Sequence, residues 1–365
     1  MTKIARIELG STGINISRFI LGAGVMGGVA TVTGPGIGLD DDGSFAIVDK
    51  AIELGINVVD TADVYTGGES ERILGRWVAN HDQAPVLIQT KTGVTADGPN
   101  LAPERVRRQL EKSRETLGRV DLFLAHAVDP NTDWSESLPV FSDAIDRGVI
   151  LAYGLCNVSE QDLTSALETA DRMSLRRPSV IQNRYSLIAR QDDDGVLPLA
   201  RGESLAYTPY SPLAAGLLAG RYSKDPQAQH GSRLSTQRET LGAIEDPQTL
   251  QKIRRFDAVA EQHDVAPAAL ALGWLLNRSG VTAPIVGVSK PAHWDAIVAS
   301  TELGWTDELA QAVEEAFAPD RPRTRRSLTP RTPPRGMSKR SDSPPVRERA
   351  ARLSHSPKGA SKCRV

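Results

Sequence analysis

Short apolar runs alternate with amphipathic helical patterns through most of this chain, and that rhythm limits the folds open to it. Eight of these runs are apolar or β-branched and too short to form helices. They cover residues 19–22, 56–60, 86–91, 121–126, 150–155, 179–183, 204–208 and 284–288. Strands that alternate with helices form a parallel sheet, and eight repeats favour closure. We therefore expect an α/β fold, a (β/α)8 TIM barrel.

Two segments stand outside the rhythm. Residues 6–9 and 14–17 flank the turn cluster Gly10-Ser11-Thr12-Gly13, which predicts an N-terminal β-hairpin before the barrel. Residues 220–247 are rich in Gly, Pro, Ser and Gln, which predicts a long loop. A loop of this length in a compact domain is typical of a lid or a mobile segment.

The chain divides by composition into a barrel domain, residues 1–318, and a tail, residues 319–365. The tail is rich in Pro, Ser and Arg and holds fourteen Lys/Arg against three Asp/Glu. It has almost no periodic apolar residues, so we expect it to be disordered. A basic tail can bind polyanions, but a merely solvated tail is the simpler interpretation.

Composition also bounds the partners. A net charge of −2 gives no reason to expect nucleic acid. The two cysteines, Cys156 and Cys363, have neither metal-ligand nor redox-pair spacing, so we expect no metal site and a reduced, cytoplasmic setting. The N-terminus lacks an apolar signal core, and no stretch reaches the roughly 20 apolar residues of a membrane span. We expect no membrane partner, and the pattern fits a monomer or a homo-oligomer equally.

Four polar residues stand at or just after the ends of successive strands: Asp60, Tyr65, Lys91 and His126. The C-terminal strand ends of a βα barrel meet on one face, so these residues should converge in an active site. Each also has an ordinary structural interpretation: a helix cap, a surface aromatic, a solvated strand end or a satisfied structural histidine. Their shared placement favours the catalytic one.

The residues around this set resemble the aldo-keto reductase superfamily. The resemblance is carried by Asn-Val-Val-Asp-Thr-Ala-Asp-Val-Tyr at 57–65 and continues at 67–75. Further collinear matches lie at residues 9–13, 90–93, 121–129, 154–157, 210–218 and 284–287. The match runs from residue 4 to about 318 and omits the tail. It implies an NADPH-dependent oxidoreductase that reduces a small aldehyde or ketone to an alcohol.

The chemistry of carbonyl reduction fits the same residues. A nicotinamide coenzyme must supply the hydride, while a side chain protonates the emerging alkoxide. A nearby Lys91 ammonium should lower the pKa of Tyr65 and ease proton exchange, and Asp60 should hold that lysine. His126 should donate a hydrogen bond to the substrate carbonyl oxygen.

Coenzyme contacts follow from the resemblance, because the chain has no Rossmann fingerprint. Asn157 and Gln182 would hold the nicotinamide amide, Tyr210 would stack on the ring, and the rest would line the coenzyme. These remaining candidates are Gly24, Met26, Ser211, Leu213, Gly216, Gly287, Ser289 and Lys290. A hydroxyl and a lysine at a helix start favour NADPH over NADH.

The chain departs from the family pattern at three positions. His293 and Ile297 stand where many relatives carry Gln and Asn near the adenosine, and Cys156 replaces a more usual Ser. Two alternatives stay open. One is a cofactor-binding regulatory subunit with slow turnover, like the β subunits of certain potassium channels. The other is a barrel isomerase or aldolase in which Lys91 forms a Schiff base.

Overall fold

The computed structural model describes residues 3–30, 32–34, 37–221 and 246–318. It begins with an antiparallel hairpin of β1 (Arg6–Glu8) and β2 (Asn15–Ser17), in which Arg6 pairs with Ser17. The hairpin predicted from the turn cluster is confirmed. Gly10 in its turn has a φ of +60°, and an added Cβ would lie 2.8 Å from the carbonyl oxygen of Ser204. The turn therefore approaches the start of a barrel strand too closely for any other residue.

Parallel strands follow at all eight predicted positions, with a small antiparallel pair, β6 and β7, after the third. In chain order the strands are β3 (Ile20–Gly22), β4 (Val58–Asp60), β5 (Leu87–Thr92), β6 (Val94–Thr95), β7 (Gly98–Pro99), β8 (Leu122–Ala125), β9 (Ala152–Cys156), β10 (Val180–Gln182), β11 (Ala206–Tyr207) and β12 (Ile285–Gly287). The sheet order is β11-β10-β9-β8-β5-β4-β3-β12. The N–H groups of Thr282 and Ile285 donate to the carbonyls of Tyr207 and Pro209, which joins the two ends. The (β/α)8 barrel is confirmed.

Helices surround the strands, and local sequence explains where several begin. They are α1 (Asp41–Glu53), α2 (Glu69–Asn80), α3 (Pro103–Leu117), α4 (Trp134–Asp146), α5 (Glu160–Arg172), α6 (Val196–Gly202), α7 (Pro247–Gln262), α8 (Pro267–Asn277), α9 (His293–Glu302) and α10 (Asp307–Phe317). Capping boxes at Asp133 and Ser159 start α4 and α5. Proline occupies the first turn of α3, α7 and α8, where its missing N–H costs nothing.

The barrel has two apolar layers. The larger lies between strands and helices and includes Val59, Ile88 and Trp77. The smaller fills the barrel interior. Its buried members are Leu9, Ile16, Ile20, Val58, Leu122, Leu124, Ala152, Cys156, Val180, Ala206, Ala283 and Ile285. Because two hairpin residues belong to this interior cluster, the hairpin closes the N-terminal end of the barrel and leaves the C-terminal end for a site.

Two predictions fall on residues outside the described part of the chain. The tail, residues 319–365, and most of the loop, residues 222–245, stay predictions. Within the described ranges, no helix is both long and apolar enough to cross a membrane.

Candidate active site

Lys91 lies at the centre of the four predicted catalytic residues. Its Nζ donates to Asp60 Oδ2 at 2.9 Å, to the Thr61 carbonyl at 2.7 Å and to Tyr65 Oη at 3.1 Å. The ring of His126 meets that of Tyr65 edge to face, with centroids 5.7 Å apart. Three neighbouring strands produce this arrangement, since Asp60 ends β4, Lys91 lies on β5 and His126 follows β8.

The loop that carries Tyr65 is tied to the strand that carries Lys91. Asp63 N–H donates to the Lys91 carbonyl at 3.1 Å, and Thr92 Oγ1 donates to Asp63 Oδ2 at 3.0 Å. Thr66 then takes a left-handed conformation with a φ of 51°, which turns the chain into α2. A strained non-glycine residue next to Tyr65 indicates that surrounding contacts fix this loop.

Burial and charge act in opposite directions on Lys91. The side chain is fully buried, and burial is the largest single effect and disfavours the ammonium. Asp60, Tyr65 and Cys156 together outweigh it, and the pKa of Lys91 is raised. The lysine is therefore charged at neutral pH. Its three N–H donors match the three acceptors around it, so a buried charge is fully paired.

The expected effect of Lys91 on Tyr65 is present, but it does not decide the net pKa of Tyr65. Lys91 does lower the pKa of Tyr65, but burial of the phenol raises it by more, and the pKa of Tyr65 lies above its ordinary value. Desolvation penalises the phenolate, and the nearby charge of Asp60 adds to that penalty. Tyr65 is therefore protonated at neutral pH, which is the state that a proton donor needs.

His126 is neutral at physiological pH. Burial, together with the positive charge of Lys91, lowers the pKa of His126 to about 3. A neutral imidazole has one N–H to donate and acts as a hydrogen-bond donor, not as an acid. Its Nδ1 is buried and has no hydrogen-bond partner within the described residues.

The second oxygen of Asp60 is also occupied. Gln89 Nε2 donates to Oδ1 at 2.6 Å, and Gln182 Nε2 donates to the same atom at 3.2 Å. Gln182 is one of the residues predicted to hold the nicotinamide. The contact therefore links a predicted coenzyme residue directly to the predicted proton-donor group.

Asn157 and Tyr210 form a second group beside His126. Tyr210 Oη donates to Asn157 Oδ1 at 2.8 Å, and Asn157 Nδ2 donates to the His126 carbonyl at 2.8 Å. Asn157 follows β9 with a φ of 56°, and the Tyr210 side chain is only half-buried. These bonds fix an aromatic ring and an amide at the mouth of the barrel.

A run of left-handed backbone follows Tyr210. Ser211, Ala214, Ala215 and Gly216 have φ values of 55°, 47°, 55° and 96°. Non-glycine residues in this region are strained, and such strain concentrates where backbone binds ligands. Leu213 lies in the same segment with a φ of −100° and is half-buried.

The remaining predicted coenzyme residues lie at or just after two adjacent strands, β3 and β12, at one end of the sheet order. Gly287, at the end of β12, pairs with Gly22 of β3, and Ser289 and Lys290 are exposed just before α9. Gly24 lies beside the ring of Tyr65, where an added Cβ would make ordinary contact at 3.8 Å. Met26 is 1% exposed and packs in the layer between strands and helices, so only its backbone could meet a ligand.

The sequence profile of the Aldo/keto reductase family matches residues 24–318. The chain belongs to the aldo/keto reductase family. A thermostable aldo-keto reductase of known structure shares its fold, with a TM-score of 0.68 and 23% identity over 86% of this chain and 100% of that one.

Named relatives of this aldo/keto reductase span nearly its whole barrel. A putative voltage-gated potassium channel subunit beta of Schizosaccharomyces pombe is 30% identical over 84% of this chain and 91% of that protein. An NADH-specific methylglyoxal reductase of Escherichia coli is 27% identical over 85% of this chain and 99% of that protein. As a member of this family the protein is an oxidoreductase.

Sequence reasoning missed three contributors to this aldo/keto reductase site. They are the carbonyl of Thr61, the side chain of Asp63 and the amide of Gln89. Of the three, only Gln89 could have been found from the sequence, because strand alternation places its side chain on the same face of β5 as Lys91. Among the described residues, no cluster of three His, Cys, Asp or Glu could hold a metal ion.

Proposed function

We propose that this protein reduces an aldehyde or ketone to an alcohol by hydride transfer from NADPH, with Tyr65 as the proton donor. The observation that carries the proposal is the Lys91 ammonium, which donates to both Asp60 and Tyr65 at 2.9 and 3.1 Å. A buried lysine that contacts a phenol can stabilise negative charge as the phenol gives up its proton.

The residues present fit a nicotinamide coenzyme, which would supply the hydride. Tyr210 offers a half-buried ring for stacking, and its bond to Asn157 holds both side chains in place. Gln182 donates to Asp60, which leaves its own Oε1 as an acceptor for a carboxamide N–H. The strained backbone from Ser211 to Gly216 is the segment we assign to the pyrophosphate.

A group of positive side chains supports NADPH over NADH. Lys290 stands before α9, and Ser289 N–H donates to His293 Nδ1 at 3.4 Å. Burial and the positive charges of Lys290 and Arg221 all lower the pKa of His293. Both cations are therefore close enough to His293 to act on it electrostatically. Cations at a helix start suit the 2′-phosphate that distinguishes NADPH.

The proton chemistry follows from the pKa directions. Tyr65 is protonated at neutral pH and can donate to the alkoxide as the carbonyl carbon accepts hydride. His126 is neutral and can donate a hydrogen bond to the carbonyl oxygen, which polarises the carbonyl and orients it. Lys91 remains charged and stabilises the phenolate that forms.

A regulatory role is the second candidate, and a specific finding favours it. The relative at 30% identity is a putative potassium channel subunit beta. Such a role would need coenzyme binding but little turnover. The complete set of Asp60, Tyr65, Lys91 and His126 favours catalysis, because binding alone does not require a paired, fully buried lysine.

The test is a coenzyme titration by intrinsic fluorescence, NADPH against NADH, followed by turnover with a panel of aldehydes and ketones that includes methylglyoxal. Tight NADPH binding with turnover is the expected result. Tight binding without turnover would favour the regulatory candidate, and tighter NADH binding would overturn the coenzyme assignment. Borohydride trapping of a carbonyl substrate on Lys91 would support the Schiff-base alternative and contradict the proposal.

A further inference from the structure

Gln89 is a buried polar side chain of the barrel interior, in register with Asp60 on β4 and with Leu122 on β8. Alternation along β5 turns Leu87, Gln89 and Lys91 inward, whereas Ile88 and Thr90 face the helices. Gln89 is 0% exposed and lies two residues before Lys91. Its neighbours in register are a site carboxylate, Asp60, on one strand and an apolar interior side chain, Leu122, on the other.

The amide of Gln89 holds the carboxylate that holds Lys91. Its Nε2 lies 2.6 Å from Asp60 Oδ1, while Lys91 binds Oδ2. Hydrogen bonds to an ionised acceptor are roughly twice as strong as neutral ones. With both oxygens bound, the Asp60 carboxylate cannot rotate about its own axis without breaking a bond, and Oδ2 stays aligned with Lys91.

The carbonyl oxygen of the Gln89 amide makes no comparable hydrogen bond. Gln89 Oε1 is buried and has no hydrogen-bond partner within the described residues. Reversing the amide would bring this oxygen against the Asp60 carboxylate, so the N–H must face Asp60. A half-satisfied buried amide costs stability that an apolar side chain would not. Packing alone therefore does not explain a glutamine at this position, and its N–H group has another role.

We propose that Gln89 is a positioning residue for the proton donor: by binding Asp60 it keeps the Lys91 ammonium shared between Asp60 and Tyr65. The catalytic consequence rests on the proposed function, but the positioning itself does not. Gln182 is the weaker partner of the same oxygen at 3.2 Å. We assign the Oε1 of Gln182 to the coenzyme, so Gln89 is both the shorter donor to Asp60 and the one with no assigned ligand contact.

Loss of the Gln89 amide should shift the ionisation of Tyr65 in one direction, to higher pH. Asp60 Oδ1 would lose its shorter donor, and the carboxylate would draw Lys91 toward itself and away from Tyr65. The phenolate of Tyr65 would lose stabilisation and form only at higher pH. The other groups that act on or contact Tyr65, His126 after β8 and Cys156 on β9, stay in place.

The test compares Gln89→Met with Leu87→Met, a matched change on the same face of the same strand. Met has the length of Gln but no amide, and both swaps keep the interior volume nearly constant. Ionisation of Tyr65 is followed by tyrosinate absorbance, as the difference between each protein and the same protein carrying Tyr65→Phe. Turnover of carbonyls with NADPH is measured on the same proteins.

We expect Gln89→Met to move the ionisation of Tyr65 to higher pH and to lower kcat about tenfold, the effect of roughly 1.4 kcal/mol. Dissociation constants for NADPH should stay unchanged, and Leu87→Met should match the wild type throughout. An unchanged Tyr65 titration in Gln89→Met overturns the proposal. If Gln89→Met does not fold, Gln89→Ala takes its place, since it removes the amide and adds no bulk.

The two proposals fail separately in this design. A wild type without turnover contradicts the reductase assignment, while the Tyr65 titration still decides the role of Gln89. A wild type with turnover and an unmoved titration contradicts only the role of Gln89.

Discussion

Lys91 Nζ and Tyr65 Oη lie 3.1 Å apart inside a closed barrel, and the same ammonium lies 4.6 Å from the centroid of the tyrosine ring. Each residue changes the pKa of the other. The lysine favours the phenolate, while the phenolic oxygen helps Asp60 to keep the lysine charged. A fully buried cation becomes tolerable because its acceptors surround it.

Removal of Lys91 should destabilise the fold. Lys91→Met leaves the Asp60 carboxylate, whose side chain is 4% exposed, buried without its cation. Breaking a buried ion pair in this way costs about 3–5 kcal/mol of unfolding free energy. Urea unfolding measures it, and Lys50→Met is the control, since its pair with Glu53 is exposed and such pairs contribute at most about 1 kcal/mol. Equal losses in the two variants would contradict the account.

His126 should make the protein sensitive to acid. Its pKa is about 3 when folded against 6.5 as its ordinary value, so the unfolded chain binds its proton first. Stability from the neutral ring is complete above pH 6.5 and is lost as the pH falls toward 3. At about 1.4 kcal/mol per pKa unit the loss is at most about 5 kcal/mol.

Urea unfolding between pH 7 and 4.5 checks this titration. His126→Gln should lose less stability across that range than the wild type, whereas His263→Gln, at an exposed position, should follow the wild type. Parallel curves for His126→Gln and the wild type would contradict the prediction.

Asp63 should titrate with the opposite sign. Burial raises the pKa of Asp63 to about 6 from 3.8, so the folded chain binds this proton more tightly. The resulting stability is complete below pH 3.8 and is lost as the pH rises through 6. Asp63→Asn removes the titration, and it should therefore gain up to about 3 kcal/mol on the wild type between pH 4 and pH 8.

The same unfolding series, run from pH 4 to 8, measures the effect of Asp63. Asp97→Asn, an exposed carboxylate, serves as the control and should show no such gain. A gain of equal size in both variants would assign the effect to net charge instead of burial.

Coenzyme preference should depend on Lys290. Lys290→Ala should weaken NADPH binding roughly tenfold, because a hydrogen bond to a charged group contributes about 1.5 kcal/mol or more. NADH binding should change little, since NADH lacks the 2′-phosphate. Fluorescence titration with both coenzymes measures the ratio, and Lys112→Ala on α3 controls for the loss of a surface charge. An equal loss for both coenzymes would place Lys290 elsewhere on the binding surface.

The sequence predicts both the fold and the convergence of four side chains in one site, because the strand ends can be located from the apolar pattern. These side chains are Asp60, Tyr65, Lys91 and His126. Parallel strands gather their C-terminal ends on one face, so a polar residue at each end has a predictable location. The strand bounds moved by only one or two residues, as at β4, where the expected 56–60 became Val58–Asp60.

The electrostatics of the site could not be predicted in the same way. The pKa of Tyr65 depends on how far burial outweighs Lys91, and burial is a property of packing that no spacing reveals. The link from Gln182 to Asp60 joins residues 122 apart in sequence, at 3.2 Å. Pairwise contacts across a barrel interior depend on rotamers, which the strand pattern leaves open.

The most direct test of the central claim is a single turnover with coenzyme already bound. Wild type and Tyr65→Phe are saturated with NADPH and mixed with an aldehyde that the wild type reduces, and NADPH oxidation is followed by absorbance. We predict that Tyr65→Phe binds NADPH as the wild type does but oxidises it at least about a hundredfold more slowly, the usual loss when a general acid is removed. Equal rates in the two proteins would contradict the assignment of Tyr65 as the proton donor.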